Sequence, residues 1–366
     1  MFRVNHAILH VFDFVSCVTV LSEEELDLSN KNVKSYVMRI AKHALGNLDN
    51  KRGEFAEDSG FKGELDDYLS GDLPFVDLSR QIAEFIGSEL GRMEDPSSCD
   101  LLVVDFDDEP RASKIDAEAA AGMTEEEAAA AQASLAASYA DRAARYFGLM
   151  LLESRPAFMH EVGRSDVGAT VNNIERHHAI LPNPSQKIAS FALVDVRTMA
   201  VQFVDKPRTI AGEERWLLPE GLLQCSMEAS SKEVFDTTMR IVEEVAEEYG
   251  TNAAVAVGRA KAYVAENADE SDEVPFDELA NEVFADDAPR RRMVEAAAEE
   301  ALPERARVER DVAKRVTRNH KIRTDTGIEI TFPAEYSQNP EFIEFTSAPN
   351  GLIQIELKNI GKIENR

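Results

Sequence analysis

The most continuous apolar pattern of the chain lies near its middle. Residues 188–196 are almost entirely apolar, and residues 199–204 repeat that character after a short polar break. Short apolar runs bounded by turn residues are typical of strands buried on both faces, although periodicity alone does not distinguish them from a buried helix. Pro182 and Pro184 precede the first run and predict a turn there. The pattern favours a central pair of buried strands.

Three further segments also predict strands. Residues 101–106 and 146–152 are apolar runs that we expect to be adjacent and antiparallel. Residues 4–14 alternate in part, and a regular strand would place five of their side chains on one face: Val4, His6, Ile8, His10 and Phe12. The two histidines could pair on a metal ion, but packed histidines are the commoner case in strands, and no third ligand is evident nearby.

Helical periodicity dominates two other parts of the chain. Residues 28–48 predict a helix with Ser29 or Asn30 as its N-cap. Ser230, followed three residues later by a glutamate, has the pattern of a capping box and opens a run of predicted helices that ends at residue 318. The last of these predicted helices covers residues 304–318.

From residue 320 onward the apolar period changes to two. Residues 322–324 and 328–332 flank a loop suited to a hairpin, and a second pair of short runs flanks residues 349–351. These signals predict a small antiparallel sheet. The fold class is therefore α+β: an N-terminal domain of mixed sheet and helix over residues 1–212, then a helical block with the small sheet over residues 213–366.

An alanine-rich, acidic segment interrupts the first predicted domain. Residues 111–144 contain strong helix formers but few large apolar groups, so they bury little area. We interpret the segment as a projecting helix or helical hairpin, with partial disorder as the competing interpretation.

Three stretches carry a family resemblance: VNHAILHVFDF at residues 4–14, ILPNPSQKIASFALVDV at residues 180–196, and RTDTGIEITFPAEY at residues 323–336. Together they resemble the bacterial 37-kDa nucleoid-associated protein family (NdpA-like), with residues 111–144 as the clear departure. The resemblance implies a cytoplasmic, nucleoid-located protein that binds double-stranded DNA with little sequence preference, as a homodimer. Some relatives are linked to type II topoisomerases, which makes such an enzyme a candidate partner.

Charge restricts how such a protein meets DNA. The chain has 40 basic and 68 acidic residues and a formal net charge of −28. Phosphate contacts come from Lys and Arg, so any DNA site must be a local basic patch on a repelling body. The three cysteines have no metal-ligand spacing and suggest reduced thiols. We expect neither a signal peptide nor a membrane span, because no apolar run is long enough.

The strongest local reversal of charge lies in residues 303–323, where eight basic residues stand against three acidic ones. As a helix, the segment would pack through Val308, Val312 and Val316 and present a basic ridge opposite them. The alternative is a surface helix whose cations pair with the acidic stretch before it. The predicted DNA-binding residues are Arg307, Arg310, Lys314, Arg315, Arg318, Lys321 and Arg323, together with Arg290, Arg291 and Arg292 of the preceding helix.

No common catalytic signature is present, so we predict neither an enzyme nor a cofactor. Two carboxylate arrangements are candidate metal sites. One is an acidic cluster that begins at Asp105, and we interpret it as a solvated strand end, with a Mg²⁺ site as the alternative. The other joins Glu356 and Lys358 with Glu344, as in metal-dependent nucleases, against the simpler interpretation of charges that keep an edge strand soluble.

Three functions follow from these observations. The leading hypothesis is a non-enzymatic nucleoid-associated protein that neutralises phosphates through basic patches. The second is an acidic interaction protein that docks on a DNA enzyme such as a type II topoisomerase, and the third is a metal-dependent nuclease. By the resemblance and by their position next to the basic segment, residues 251–267 and the helix before them are the predicted contact of a symmetric dimer. Closed twofold dimers are the commonest soluble oligomers.

Overall fold

A computed structural model of the chain describes residues 2–109, 143–164, 168, 170–334, 336, 339–347 and 353–362. These residues divide into two compact units, unit 1 (Met1–Glu228) and unit 2 (Ala229–Arg366). The division falls after the boundary near residue 212 that the sequence suggested, because residues 213–223 pack with unit 1. The alanine-rich segment 111–144, apart from its last two residues, lies outside the described residues.

Unit 1 is built from strands and four helical segments. Its strands are β1 (Phe2–Asp13), β2 (Val18–Val20), β3 (Lys51–Gly53), β4 (Cys99–Asp108), β5 (Ala144–Glu153), β6 (Arg155–Arg164), β7 (Thr170–Ile180), β8 (Ser190–Asp195), β9 (Val201–Val204), β10 (Pro207–Ile210) and β11 (Glu213–Trp216). Its helices are α1 (Lys31–Leu45), α2 (Gly60–Ser70), α3 (Phe75–Gly91) and a π-helix (Leu217–Leu223).

Seven of these strands form one antiparallel sheet in the order β2-β1-β4-β5-β8-β9-β3. The predicted antiparallel pairing of residues 101–106 with 146–152 is confirmed, since Leu101 lies opposite Leu151. The two central apolar runs form β8 and β9, with Ala192 opposite Phe203. They are therefore strands and not a buried helix.

Helices cover both faces of this sheet, which explains why its strands are apolar without alternation. Leu102 and Val104 face the side covered by α1, whereas Leu101 and Val103 face the side covered by α2, α3 and the π-helix. Large side chains such as Phe147 are fully buried between the layers. Burial of one such side chain stabilises the fold by about 1.5–3 kcal/mol relative to exposure.

The first strand departs from regular alternation. The register between β1 and β4 shifts between Val4 and His6, which is a β-bulge. Val4 therefore packs on the α1 side, while Ile8 and Phe12 pack on the other side. The prediction that all five alternating residues share a face is wrong for Val4, because the bulge inserts one residue.

Strands β6 and β7 form a separate two-stranded sheet, which we call the arm (Arg155–Arg164 with Thr170–Ile180). The sequence did not predict it, because neither strand has a core-facing apolar pattern. A second short hairpin, β10 with β11, leads into the π-helix and carries the only tryptophan of the chain, Trp216.

Unit 2 contains the predicted helical block. Its helices are α4 (Ser231–Glu248), α5 (Ala253–Asn267), α6 (Phe276–Val283), α7 (Asp287–Glu299) and α8 (Arg310–Val316). Its strands are β12 (Glu273–Pro275), β13 (Arg305–Arg307), β14 (Asn319–Arg323), β15 (Glu329–Pro333), β16 (Ile343–Ser347) and β17 (Ile353–Leu357). The capping box at Ser230 is confirmed, with reciprocal bonds to Glu233.

The end of the helical block differs from its prediction. The helix expected over residues 304–318 is wrong in its first part, because Arg305–Arg307 form a strand that pairs with Glu273–Pro275. The Val308 N–H then donates to the Asp272 carbonyl, and only Arg310–Val316 are helical. Pairing with a strand distant in sequence overrode local helix propensity.

The C-terminal antiparallel structure is confirmed as two separate hairpins, β14 with β15 and β16 with β17. Together with the sheet and helices of unit 1 and the helical block, they make the fold α+β, as the sequence predicted.

Candidate nucleic-acid interface

The valine side of the predicted basic segment packs inward. Val308 and Val312 are buried, and Val316 packs against the helical core of unit 2. The cations opposite them do not form a ridge on one helix, because Arg307 belongs to β13 and Arg318 follows the end of α8. Only the middle of the proposed ridge therefore has helical geometry.

The two cations on α8 share one carboxylate. Arg310 Nη2 lies 2.6 Å and Lys314 Nζ lies 2.8 Å from Asp269 Oδ1, an oxygen of the acidic stretch before them. Hydrogen bonds from Lys314 and then Arg310 lower the pKa of Asp269 below its ordinary value. This is the pairing that the alternative interpretation of the sequence described.

Other predicted DNA-binding residues also have partners. Arg290 donates to the carbonyls of Phe284 and Ala285 at 2.7 and 2.8 Å, so its guanidinium caps the end of the preceding helical segment. Arg292 pairs with Glu299 at 3.2 Å, and Lys321 pairs with Glu329 at 2.9 Å.

The remaining predicted residues differ in how they are paired. Arg315 has a partner as well. Four arginines are exposed and form no ion pair with any described residue: Arg291, Arg307, Arg318 and Arg323. Four of the ten predicted cations could therefore bind a phosphate without first breaking an ion pair among the described residues.

A basic surface that the sequence analysis missed lies on α1 of unit 1. The helix carries Lys31, Lys34, Arg39 and Lys42 and no acidic residue, and all four cations are exposed. At 100° per residue they fall within an arc of about 140°. We call this surface the α1 strip. None of the four forms an ion pair with a residue in the described part of the chain, although Lys42 Nζ lies 5.1 Å from the Phe2 ring.

The α1 strip borders a shallow groove. The groove has a volume of about 300 Å³ and is lined by Lys31, Lys34, Ser35, Met38, Arg39 and Lys42. From Lys31 to Lys42 the strip extends about 16 Å along the helix axis, at 1.5 Å per residue. Phosphates of one DNA strand follow one another every ~3.4 Å along the duplex axis, so the strip is long enough to face about five of them.

The opposite face of α1 fixes the helix on the sheet. Its buried residues are Val37, Ile40, Ala41 and Ala44. The Tyr36 hydroxyl donates to the Pro182 carbonyl at 2.9 Å, and the His43 Nδ1 lies 3.1 Å from the Pro184 carbonyl. The proline turn predicted from the sequence therefore holds the helix in place, and the strip is a preorganised surface.

The sequence did contain a signal for this strip. Four Lys and Arg residues without an acid, over fifteen residues, are unusual in a chain with 68 acidic residues. An outward cationic face is common on amphipathic helices, so this pattern by itself predicted a helix and not a binding surface.

The acidic cluster at the end of β4 has a structural role. Asp105 is fully buried and not solvated, which corrects the interpretation made from the sequence for this member of the cluster. Its carboxylate accepts hydrogen bonds from Arg145 at 2.6 and 2.9 Å, from the Tyr68 hydroxyl at 2.6 Å and from Asn5 at 3.1 Å. These donors occupy the oxygens that a metal ion would need.

The two histidines of β1 are also committed to protein partners. The His10 ring is buried between Ser79 and the backbone N–H of Ser22, and burial, with a smaller contribution from Arg80, lowers its pKa to about 4. His6 lies 3.0 Å from Glu25. Within the described residues, no group of three or more His, Cys, Asp or Glu side chains is placed to bind a metal ion.

The predicted carboxylate and lysine arrangement does come together in the last hairpin. Glu344 lies opposite Glu356, and Lys358 Nζ pairs with Glu344 and lies 3.8 Å from Glu356. The hydrogen bond to Glu344 raises the pKa of Lys358. All three side chains are partly or fully exposed, so the arrangement is an ion-pair cluster on a surface hairpin.

Comparison with known protein families identifies the family of this chain. A family model described as nucleoid-associated protein YejK matches residues 8–364, which includes both units. A comparison with curated proteins found no match. In the part of the chain that the structure describes, no helix combines the length and the apolar character required to cross a membrane.

Proposed function

Because this chain belongs to the nucleoid-associated protein YejK family, whose place is the bacterial nucleoid, we propose that it binds double-stranded DNA directly and with little sequence preference. The proposal includes a homodimer in the cytoplasm and a binding role without catalysis. The observation that carries it is the α1 strip: four exposed cations that have no acidic partner among the described residues, on a chain of net charge −28.

The chemistry of the strip favours phosphates over bases. Three of its four cations are lysines, which act as mobile point charges and do not provide the fixed fork that reads a guanine edge. Contacts to phosphate fix position but carry no sequence information. Low sequence preference is therefore the behaviour expected of such a surface.

The unpaired arginines of unit 2 provide a second set of candidate contacts. Arg307, Arg318 and Arg323 are available without breaking an ion pair among the described residues. Arg310 and Lys314 must first exchange Asp269 for a phosphate, so we expect each to contribute less.

A salt titration of duplex binding tests the proposal. Four phosphate contacts on the α1 strip correspond to a log–log salt slope of roughly −3.6 per protomer. Replacing Lys34 and Lys42 with glutamine should flatten the slope by about 1.8 and weaken all sequences alike. The Arg310→Ala, Lys314→Ala variant should flatten it less, because both side chains already pair with the Asp269 carboxylate.

The matched control removes two cations that already have partners. Lys232 pairs with Asp236, and Arg240 pairs with Glu244 and Glu300 on the surface of unit 2. The Lys232→Gln, Arg240→Gln variant changes the net charge by the same amount. A slope equal to that of the α1 variant would show that only overall charge matters and would refute a local site.

The other functions give different results in the same assays. Weak, salt-insensitive binding of the parent would favour an acidic protein that docks on a DNA enzyme, for which a type II topoisomerase is the proposed partner. Mg²⁺-dependent cleavage that is lost in Glu356→Gln would instead establish a nuclease. Light scattering in the micromolar range tests the homodimer, and a monomer mass would exclude it.

A further inference from the structure

A carboxylate of the chain itself lies against the two cations of α8. Asp269 Oδ1 is 2.6 Å from Arg310 Nη2 and 2.8 Å from Lys314 Nζ. The two cations are four residues apart, so they lie on the same side of the helix and converge on one oxygen. Arg and Lys side chains that hold an anionic oxygen are also the groups that contact the phosphates of DNA. The Asp269 carboxylate therefore stands where a phosphate oxygen would bind.

The loop that carries Asp269 is fastened to the chain just before α8. Residues 268–272 form this loop, which joins α5 to β12. Asp272 Oδ1 accepts a hydrogen bond from the Arg310 N–H at 3.0 Å, and the Asp272 carbonyl accepts one from the Val308 N–H at 2.7 Å. The backbone thus holds Asp269 close to Arg310, independently of the ion pair itself.

This anchoring makes the contact more than an ordinary surface ion pair. Exposed pairs often contribute little, because it costs entropy to hold two flexible side chains in one geometry. That cost is smaller for Asp269, because its side chain is short, its loop is anchored, and it meets two cations at once. Hydrogen bonds from Lys314 and then Arg310 lower the pKa of Asp269, so the carboxylate is charged at neutral pH.

The three side chains nevertheless remain accessible to an external anion. The exposed fractions are 57% for Asp269, 39% for Arg310 and 47% for Lys314. Rotation of the Asp269 side chain into solvent would free both cations without any change in the backbone. A phosphate group at the surface of unit 2 can therefore compete with Asp269 for them.

We infer that Arg310 and Lys314 form a phosphate site in unit 2 that Asp269 occupies until duplex DNA displaces it. The contact is autoinhibitory, because it lowers the affinity of the site for any single phosphate group. Other contacts that hold a duplex nearby raise the effective concentration of its phosphates and favour the exchange. Arg307 and Arg318, which are exposed and form no ion pair with a described residue, can make such contacts. The inference rests on the DNA binding of the proposed function and adds its regulation.

The Asp269→Asn variant tests the inference, because it removes the competing charge and preserves the size of the side chain. The loop should keep its conformation, since its bonds to Val308 and Arg310 come from Asp272. Circular dichroism checks the fold. Anisotropy of a fluorescein-labelled duplex, measured with the full chain across a salt series, gives the affinity and its salt dependence.

The matched control is Asp236→Asn. Asp236 is 56% exposed, nearly the same as Asp269, and it pairs with a single cation of α4, Lys232, at 2.8 Å. Both variants change the net charge by one, so a difference between them reports the site and not the total charge of the chain.

We expect Asp269→Asn to bind the duplex from about twofold to about thirtyfold more tightly than the parent, the range that corresponds to two exposed ion pairs. The log–log salt slope should steepen by up to about 1.8, the value for two phosphate contacts. Asp236→Asn should stay close to the parent. The gain should disappear when Asp269→Asn is combined with Arg310→Ala and Lys314→Ala, as coupled residues require.

Two results would overturn the inference and leave the proposed function intact. One is a parent that binds the duplex while Asp269→Asn gains no more affinity than Asp236→Asn. The other is a gain that persists after Arg310 and Lys314 are replaced. If neither the parent nor Asp269→Asn binds the duplex, both the inference and the proposed function fail. Binding by Asp269→Asn alone would support the inference, since the parent site would then be fully occupied by its own carboxylate.

Discussion

Replacing Arg145 with methionine should destabilise unit 1 strongly. The Arg145 guanidinium holds the buried Asp105 carboxylate by two bonds, at 2.9 Å from Nε and 2.6 Å from Nη2. Burial by itself would raise the pKa of Asp105, but hydrogen bonds from Arg145, Tyr68 and Asn5 outweigh burial and keep that pKa below its ordinary value. The substitution leaves the carboxylate buried with two neutral donors.

The size of the effect follows from how deeply each partner is buried. Removal of one member of a buried ion pair costs about 3–5 kcal/mol, because the other charge remains uncompensated. The Asp105 side chain is 0% exposed, but that of Arg145 is 41% exposed, so water can enter the vacated space. We therefore expect a loss near the lower limit, about 3 kcal/mol at neutral pH.

Fluorescence of the single tryptophan measures the loss in free energy of unfolding in unit 1, the unit that contains Arg145. Trp216 lies at the end of β11, so its signal in a urea titration reports the unfolding of unit 1. The control is Arg3→Met. Arg3 pairs with Asp107 at 2.7 Å, but its side chain is 69% exposed. An exposed pair of this kind is worth well under about 1 kcal/mol.

The pH dependence makes the test more specific. In the variant, Asp105 loses its cationic partner, so the pKa of Asp105 should rise. The loss in free energy of unfolding relative to the parent should be fully present above that raised pKa and should shrink as the pH falls through it. Adding Asp105→Asn to Arg145→Met should also recover part of the loss, because no buried charge then remains. A loss no larger than that of Arg3→Met, or one that is constant from about pH 7 to pH 4, would refute the reasoning.

Three further predictions use the same kinds of measurement. Replacing residues 111–144 with a short loop should leave the Trp216 transition in place, because loop-closure entropy changes slowly with length; loss of the transition would mean that the segment packs on the fold. Burial, and then Lys261, lower the pKa of His320 from 6.5 to about 4, so folded unit 2 binds fewer protons than the unfolded chain between these pH values. The free energy of unfolding of unit 2 should therefore fall by up to about 3 kcal/mol as the pH is lowered from 6.5 to about 4. Hydrogen exchange of β14 should record this loss, and His320→Gln should remove it. Burial, and then Asp13, raise the pKa of Asp100 from 3.8 to about 6, so Asp100→Asn should stabilise unit 1 above that pH by up to about 3 kcal/mol and confer no advantage at pH 3.8.

The parts of the fold that could be predicted are those where local pattern and burial agree. The strands β4, β5 and β8 are apolar on both faces because helices cover both faces of the sheet, and that leaves a strong signal in the sequence. The start of α4 is marked by its capping box. The arm left no such signal, because a strand without a core-facing side has no burial to pattern it.

The candidate site shows a different limit. A local excess of basic residues can be read from a sequence, and it led to the prediction that Arg310 and Lys314 bind DNA. Whether a cation is neutralised depends on residues far along the chain, and Asp269, which pairs with both, is 41 residues before Arg310. The α1 strip shows the converse. The spacing of its cations can be read from the sequence, but only the folded structure shows that they have no ion-pair partner among the described residues.

The acidity of the chain also determines how the α1 strip would act on DNA. At an ionic strength of about 0.1 M the screening length is about 10 Å, so a phosphate near the strip responds mainly to its four cations. At about 0.01 M the screening length grows to about 30 Å, and the net charge of −28 then repels the duplex as well. The logarithm of the DNA affinity should therefore rise linearly as the logarithm of the salt concentration falls through the physiological range, and then level off at low salt. A straight line down to the lowest salt would show that the acidic surface faces away from bound DNA.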